Sequence, residues 1–207
     1  IEGKIDGLRR GRSLVLENDH TVILGWSSKI VTAVQELVIA NENQPKAAVV
    51  ILANHDKVEM EEELNTRVTK LGNTKIVCRR GDPCVLSDLE IVRPELAKSI
   101  ILFSGEDEQG DAVVLKRLLA LQRITDRHDH NCQIVAEIRD DTNTDAIKLV
   151  GNVQVVQSVD LVTRVLVQAA RQPGLSLVYD ELLSFEGCEI YFHKDISLAG
   201  RTFADAT

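Results

Sequence analysis

Six short apolar runs, rich in β-branched residues, recur along the chain at Thr21–Leu24, Ala47–Ala53, Lys75–Cys78, Ser99–Phe103, Gln133–Ile138 and Val153–Gln157. Their starts are separated by between 20 residues (Gln133 to Val153) and 34 residues (Ser99 to Gln133). That is room for a crossover helix and little else. The gaps carry helical spacing: Ile30, Val34, Leu37 and Val38 fall at i, i+4, i+7 and i+8, with similar stripes near Val58–Leu71 and Ala112–Leu121. Continuously apolar runs, unlike alternating ones, need cover on both faces of the sheet. The rhythm predicts an α/β fold, a Rossmann-like six-stranded parallel sheet over residues 20–158.

The segment after Ser158 reads differently. Val159, Leu161, Val162, Val165, Leu166, Val167, Ala169 and Ala170 lie nearly all round a helix, which predicts burial on several sides. Pro173-Gly174 then makes a sharp turn, and a second amphipathic helix runs over Leu175–Phe185. From Gly187 the alternation of Cys188, Ile190 and Phe192 reads as a strand. We therefore expect a linker at 1–19, the sheet domain at 20–158, a C-terminal crossover helix-turn-helix arm at 159–186, and the start of a second small lobe at 187–207. Such an arm suggests assembly, not a solitary monomer. The chain opens on Ile1, its only methionine is Met60, and we expect it to be a piece of something longer.

Composition excludes several functions. The 207 residues carry 24 Lys+Arg against 32 Asp+Glu, a net charge of -8, which argues against a nucleic-acid partner. Aromatics are only 3%, too few for base-stacking platforms, and no apolar run approaches the roughly 20 residues of a membrane span. Cys78, Cys84, Cys132 and Cys188 form no C-x-x-C pair and read as apolar thiols of a reducing compartment.

In a Rossmann fold the first βα turn carries the chemistry, with G-x-G-x-x-G giving a pyrophosphate close approach to the backbone. Here it reads Gly25-Trp26-Ser27-Ser28-Lys29-Ile30, so only the first glycine is present. The second run ends in Ala53-Asn54-His55, without the acid that holds a ribose. Gly25, Trp26 and Ser27 are thus a vestigial dinucleotide turn, and NAD is not the expected cofactor. Another anion at the helix N-terminus, held by Ser27, Ser28 and Lys29, stays open, as does a turn that merely packs around Trp26. The sequence contains no P-loop, nucleophile elbow or H-E-x-x-H motif, and nothing marks it as an enzyme. His128-Asp129-His130 with Cys132 has metal-ligand spacing within a charged connection that reads more simply as a solvated loop. His20, His55 and His193 look isolated.

Ligands of open α/β sheets bind beyond the carboxyl ends of the strands, and two acidic groups fall there. Glu106, Asp107, Glu108 and Asp111 follow the fourth run; Glu137, Asp140 and Asp141 end the fifth. Clustered carboxylates from adjacent edges can give calcium its six to eight oxygens. The same acids also suit helix N-termini, where they favour the positive end of the macrodipole. Asp82-Pro83 likewise reads as a helix cap with proline in the first turn. Glu59, Glu61, Glu62 and Glu63 read as a solvated helical face.

Thr21-Val22-Ile23-Leu24-Gly25-Trp26-Ser27 resembles the opening of RCK domains, which regulate the conductance of potassium channels. Arg80-Gly81-Asp82-Pro83, followed by Leu86, Leu89 and Ile91, is similar to the Gly-Asp-Pro motif ending the third strand of that class. More closely, Leu8-Arg9-Arg10-Gly11-Arg12-Ser13, His20–Ser27, Ile39-Ala40-Asn41-Glu42 and Ala169-Ala170-Arg171-Gln172-Pro173-Gly174-Leu175 resemble the CASTOR/POLLUX ion channels, a likeness covering nearly the whole chain. The resemblance implies a gating domain on the cytoplasmic face of a cation channel, and the nuclear envelope for plant members. It implies pairing through the arm, with Val162, Leu166, Leu175, Val178 and Leu182 at the dimer interface, and rings of pairs beneath a tetrameric pore of the same polypeptide. It implies calcium at Asp107 or Glu108 together with Glu137, although Arg139 stands where some relatives carry a second acid. The basic stretch Arg9, Arg10, Arg12 would then face anionic headgroups, or serve as plain linker. The alternative reading is a nucleotide-sensing (NAD or ATP) regulatory subunit of a potassium uptake system.

Overall fold

The computed structural model describes residues 11–105, 109–125, 132–186, 196–200 and 202. Strands and helices alternate: β1 (His20–Leu24), α1 (Ile30–Ala40), β2 (Ala47–Ala53), α2 (Lys57–Arg67), β3 (Thr74–Arg80) and the short α3 (Leu86–Leu89). Two 3-10 turns lead into β4 (Ala97–Leu102), followed by α4 (Gly110–Thr125), β5 (Gln133–Ile138), α5 (Thr144–Lys148), β6 (Val153–Gln157), α6 (Ser158–Arg171) and α7 (Leu175–Leu183). All strand pairs are parallel, in the order β3-β2-β1-β4-β5-β6. The order reverses between β1 and β4, and that is the topological switch point of a doubly wound sheet.

Successive side chains of a strand point to opposite faces, and β1 feeds two cores accordingly. Val22 and Leu24 join Val50, Leu52, Ile100, Leu102, Val114, Leu118 and Leu121 on one face. Ile23 joins Ile30, Val34, Val49, Ile51, Met60 and Leu64 on the other. The expected helical cover on both faces is therefore present over the central strands; the edge strand β6 is only half-buried. Burial pushes the Cys78 thiol up to about 12 and Cys132 up to about 11, so both are neutral at physiological pH.

Two boundaries move. Residues 11–19, expected as linker, are laid against the domain. Val15 is wholly buried and donates its N–H to Ile91 O at 2.8 Å; Gly11 O accepts from Arg80 N at 3.0 Å; Arg79 Nε donates to Ser13 O at 2.7 Å. Leu14, Val15 and Leu16 are the only large apolar residues in this polar stretch, too short a run to show a periodicity. The Asp82 cap is a turn instead: its carboxylate accepts from Cys84 N at 2.9 Å and its carbonyl from Val85 N at 2.9 Å, and α3 starts only at Leu86. The acidic run on α2 behaves as expected, with i,i+4 pairs His55–Glu59, Lys57–Glu61 and Arg67–Glu63 at its surface.

The arm follows β6 directly. Gly174 at φ +88° reverses the chain between α6 and α7. Thr163 Oγ1 donates to Val159 O, Tyr179 OH bonds Gln168 Oε1, and Phe185 N returns to Glu36 Oε2 of α1 at 3.0 Å. The expectation that α6 is buried on several sides is not met within one chain: neither α6 nor α7 has a buried residue. The expected strand from Gly187 lies outside the described residues; within 187–207 only 196–200 and 202 are described, with a 3-10 turn at Ile196–Leu198. No helix among the described residues is long and apolar enough to cross a membrane.

Candidate functional site

The switch point opens as a small crevice between the β1–α1 turn and the β4–α4 connection. Gly25, Trp26 and Ser27 form one wall, Phe103, Ser104, Gly105 and Gly110 the other, and Val113 and Arg117 of α4 close it to about 160 Å³. Gly25 sits at φ +104°, a conformation side chains rarely adopt, and its N–H reaches across to Leu52 O at 2.8 Å. The Arg117 guanidinium lies against this glycine. A Cβ at position 25 would stand 2.6 Å from Arg117 Nη1 and 3.0 Å from Cζ and Nη2. The same Nη1 donates to Leu24 O at 3.1 Å and, at the long limit of 3.4 Å, to Phe103 O. Cys84 and Asp82 lie close behind; burial pulls the guanidinium below its ordinary pKa and these two neighbours partly restore it.

Trp26 does not fill the crevice alone. Its ring stacks on His55 at 5.6 Å and 5°, covering the carboxyl ends of β1 and β2, and His55 also pairs with Glu59 at 3.3 Å. The sequence reading of His55 as isolated is thus corrected: its partners belong to a different turn and to the next helix. His20 is corrected as well, being fully buried with Nε2 on Val92 O at 2.8 Å.

The acidic residues divide sharply. Asp111, in the first turn of α4, is buried, and protein donors surround its carboxylate. Ser104 Oγ lies at 2.8 Å, Arg139 N at 3.0 Å, Asp140 N at 2.9 Å and Asn143 Nδ2 at 3.3 Å. Burial acts to raise its pKa, but the Asp140 and Arg139 amides, with Ser104 and Asn143, outweigh burial and hold it below the ordinary value. Gly110 allows this close approach, since a Cβ there would meet Gly105 O and Ser104 Oγ at 2.5 Å. Glu137, 8% exposed, is equally committed: Oε1 takes Lys29 Nζ at 2.5 Å and Oε2 takes Ser104 N at 3.2 Å. Asp140 binds Thr142 through its backbone N–H and its hydroxyl, and both Asp140 and Asp141 line an open depression with Gln157, Asp160 and Arg164. Asp111 and Glu137, expected as cation ligands, thus both accept protein hydrogen bonds, Asp111 from four residues and Glu137 from Lys29 and Ser104. Among the described residues no three His, Cys, Asp or Glu side chains come together to hold a metal. Glu106, Asp107 and Glu108 lie outside the described residues, as do His128, Asp129 and His130.

Sequence reasoning missed Arg117 and the partnership of Lys29 with Glu137. Arg117 is one basic residue on a helix of ordinary pattern, and nothing local marks it. Lys29 was legible as the residue opening α1, where a cation faces the positive end of the helix dipole and needs an anion nearby.

The arm presents the third feature. Val159, Leu161, Val162, Leu166 and Val167 of α6, with Leu177, Val178, Leu182 and Leu183 of α7, are each 45–72% exposed. Leu175, expected with them, is half-buried.

The doubly wound parallel sheet has the Rossmann-like fold of solved TrkA-N and gating-ring domains. The fold is similar to the TrkA-N domain of the inner membrane protein ybaL from Escherichia coli (TM-score 0.55, 16% identity, covering 74% of this chain and 98% of that one). It is also similar to the human SLO3 gating ring (TM-score 0.52, 16% identity, 87% of this chain and 31% of that one). In sequence, the probable ion channel CASTOR of Oryza sativa subsp. japonica is 37% identical over 209 residues, covering 99% of this chain and 23% of the relative. The probable ion channel POLLUX of Arabidopsis thaliana is 36% identical over 209 residues, covering 99% and 25%. The family model for Castor and Pollux, part of voltage-gated ion channel, matches residues 159–207. The chain belongs to the CASTOR/POLLUX family, and it spans about a quarter of the length of the curated relatives it matches.

Proposed function

We propose that this chain is the gating module of a cation channel, acting on the cytoplasmic face and pairing with a second copy through α6 and α7. Rings of such pairs bias a pore carried by the same polypeptide. The uncovered apolar face of the arm carries the reading. Its nine large apolar side chains stand in water within one chain. Full burial of each is worth about 1.5–3 kcal/mol, and with roughly half of each still exposed the set offers about 8–15 kcal/mol, comparable with the roughly 4–15 kcal/mol that association costs. The names of the relatives and the gating-ring likeness support the same assignment.

Leu166→Asp places a charge in the middle of that face. We expect the variant to sediment as a monomer at concentrations where the parent is a dimer, with the melting curve of the sheet domain retained; an unaltered sedimentation profile overturns the reading.

The finer proposal is that calcium biases the ring. Asp111 is the least available ligand, because its two oxygens already accept from Ser104, Arg139, Asp140 and Asn143. Glu137 accepts one bond on each oxygen and keeps lone pairs, so the acids open to an ion are Glu106, Asp107, Glu108, Glu137, Asp140 and Asp141. A bound ion shifts the ring only by its differential affinity for the two arrangements. Calcium titration followed by sedimentation and by the melting temperature reads it directly; no change in either refutes calcium as the ligand.

A further inference from the structure

We propose that the switch-point crevice is closed from within. Arg117 fills the space against the Gly25 turn, beside which a nucleotide phosphate would have to lie, so this domain excludes nucleotides from the place where its fold class would bind them. In the dinucleotide fingerprint the first glycine makes the tight turn and the second lets the pyrophosphate approach the backbone; here Gly25 keeps the first role and Ser27 stands in the second position. The space against Gly25 is held by the guanidinium, whose Nη1 lies 2.6 Å from where a Cβ would be. The group is anchored there by Leu24 O and Phe103 O, the carbonyls ending β1 and β4.

Three further observations agree. The crevice that remains is about 160 Å³, whereas sites for ligands of nucleotide size run to roughly 300–1,000 Å³. The wholly buried Ile30 stands where the fingerprint's third glycine would let the helix pack closely on the strands. At the end of β2 the ribose side is taken too. Trp26 stacks on His55, and the carboxylate of Asp56 caps α2 through Val58 N at 2.9 Å while pairing with Arg80 at 3.3 Å. Arg117 thus serves as a permanent bracket across the switch point, tying β1 to β4 without a ligand. The inference goes beyond the gating proposal and counts against the nucleotide-sensing alternative.

Trp26 is the only tryptophan and lines the crevice, so its fluorescence reports occupancy. The full chain is titrated with ADP and, separately, with NAD at millimolar concentrations, with the melting temperature as a second readout. The parent should respond in neither, and Arg117→Ala should show a saturable response at least tenfold stronger in affinity. A saturable response in the parent that weakens in Arg117→Ala would make Arg117 a phosphate ligand and overturn the inference. So would a folded Arg117→Ala that binds neither nucleotide. A second measurement needs no nucleotide. Gly25→Ala should lower the melting temperature more in the parent than in Arg117→Met, because φ strain is common to both and the clash belongs only to the parent. Equal losses overturn the placement. Neither readout depends on pairing through α6 and α7, so its failure is distinguishable from failure of the gating proposal.

Discussion

Asp111→Asn is the perturbation that best separates a structural carboxylate from a cation ligand. The substitution keeps shape and one carbonyl oxygen but removes the charge from the Arg139 and Asp140 amides and from Asn143 Nδ2. A hydrogen bond to a charged group is worth about 1.5–3 kcal/mol and a neutral one about 0.5–1.5, so each of the three donors loses about 1 kcal/mol. The Ser104 hydroxyl can turn round and accept from the new amide, so it adds little. The total is about 3 kcal/mol, or a fall of about 6–12 °C in melting temperature for a chain of this size. The pH dependence has a definite sign. Asp111 is held below its ordinary value of 3.8 in the folded state, so the unfolded chain takes up the proton first as pH falls. The advantage of the parent is therefore complete above 3.8 and is lost as pH falls through the folded value. Circular-dichroism melts at pH 7 and at stepwise lower pH, without added calcium, should show the gap and then its closure below 3.8. A gap under 1 kcal/mol at pH 7, a gap that persists undiminished into strong acid, or one that appears only with calcium present would refute the reasoning.

Two other outcomes test the same edge of the sheet. For Lys29 and Glu137, a double-mutant cycle of Lys29→Met and Glu137→Gln in urea should give a coupling of about 2 kcal/mol, the value for a charged hydrogen bond discounted because the Lys29 side chain is 38% exposed; coupling below about 0.5 kcal/mol would place the pair among inert surface contacts. His20 is buried, and burial lowers its pKa below the ordinary 6.5 despite its bond to Val92 O. The unfolded chain therefore protonates first, and stability should fall as pH drops through 6.5. In His20→Gln that slope between pH 7 and 5 should flatten, and an unchanged slope would assign it to other groups.

The sheet was legible because its signals are local. Apolar runs such as Ala47–Ala53 and Gln133–Ile138 match β2 and β5 residue for residue, since period and β-branching act within a few neighbours. The first turn was legible as well: Gly25 without its companions identified a Rossmann turn with the dinucleotide glycines gone. The arm's apolar helix was correctly placed, and its burial is not supplied within one chain, because a pattern of residues says that a face needs a partner and not whether the same chain supplies it. The acids at the carboxyl edge were legible as acids. Their donors were not, since Arg139 N, Asp140 N and Ser104 Oγ reach Asp111 only when α4 folds back against β5.

By itself, then, the sequence determined the alternation of strands and helices, the class of the fold, the vestigial turn and the apolar arm, all of which depend on spacings of a few residues. Only the tertiary structure decided what stands in the crevice. Strand order places β1 beside β4, and so brings Arg117 over Gly25 and Lys29 onto Glu137. Contacts between residues 92 and 108 positions apart leave no trace in local periodicity. They follow from which strands are neighbours, and at the edge that looks free to bind a cation or a phosphate they pair Lys29 with Glu137, ring Asp111 with protein donors and lay Arg117 against Gly25.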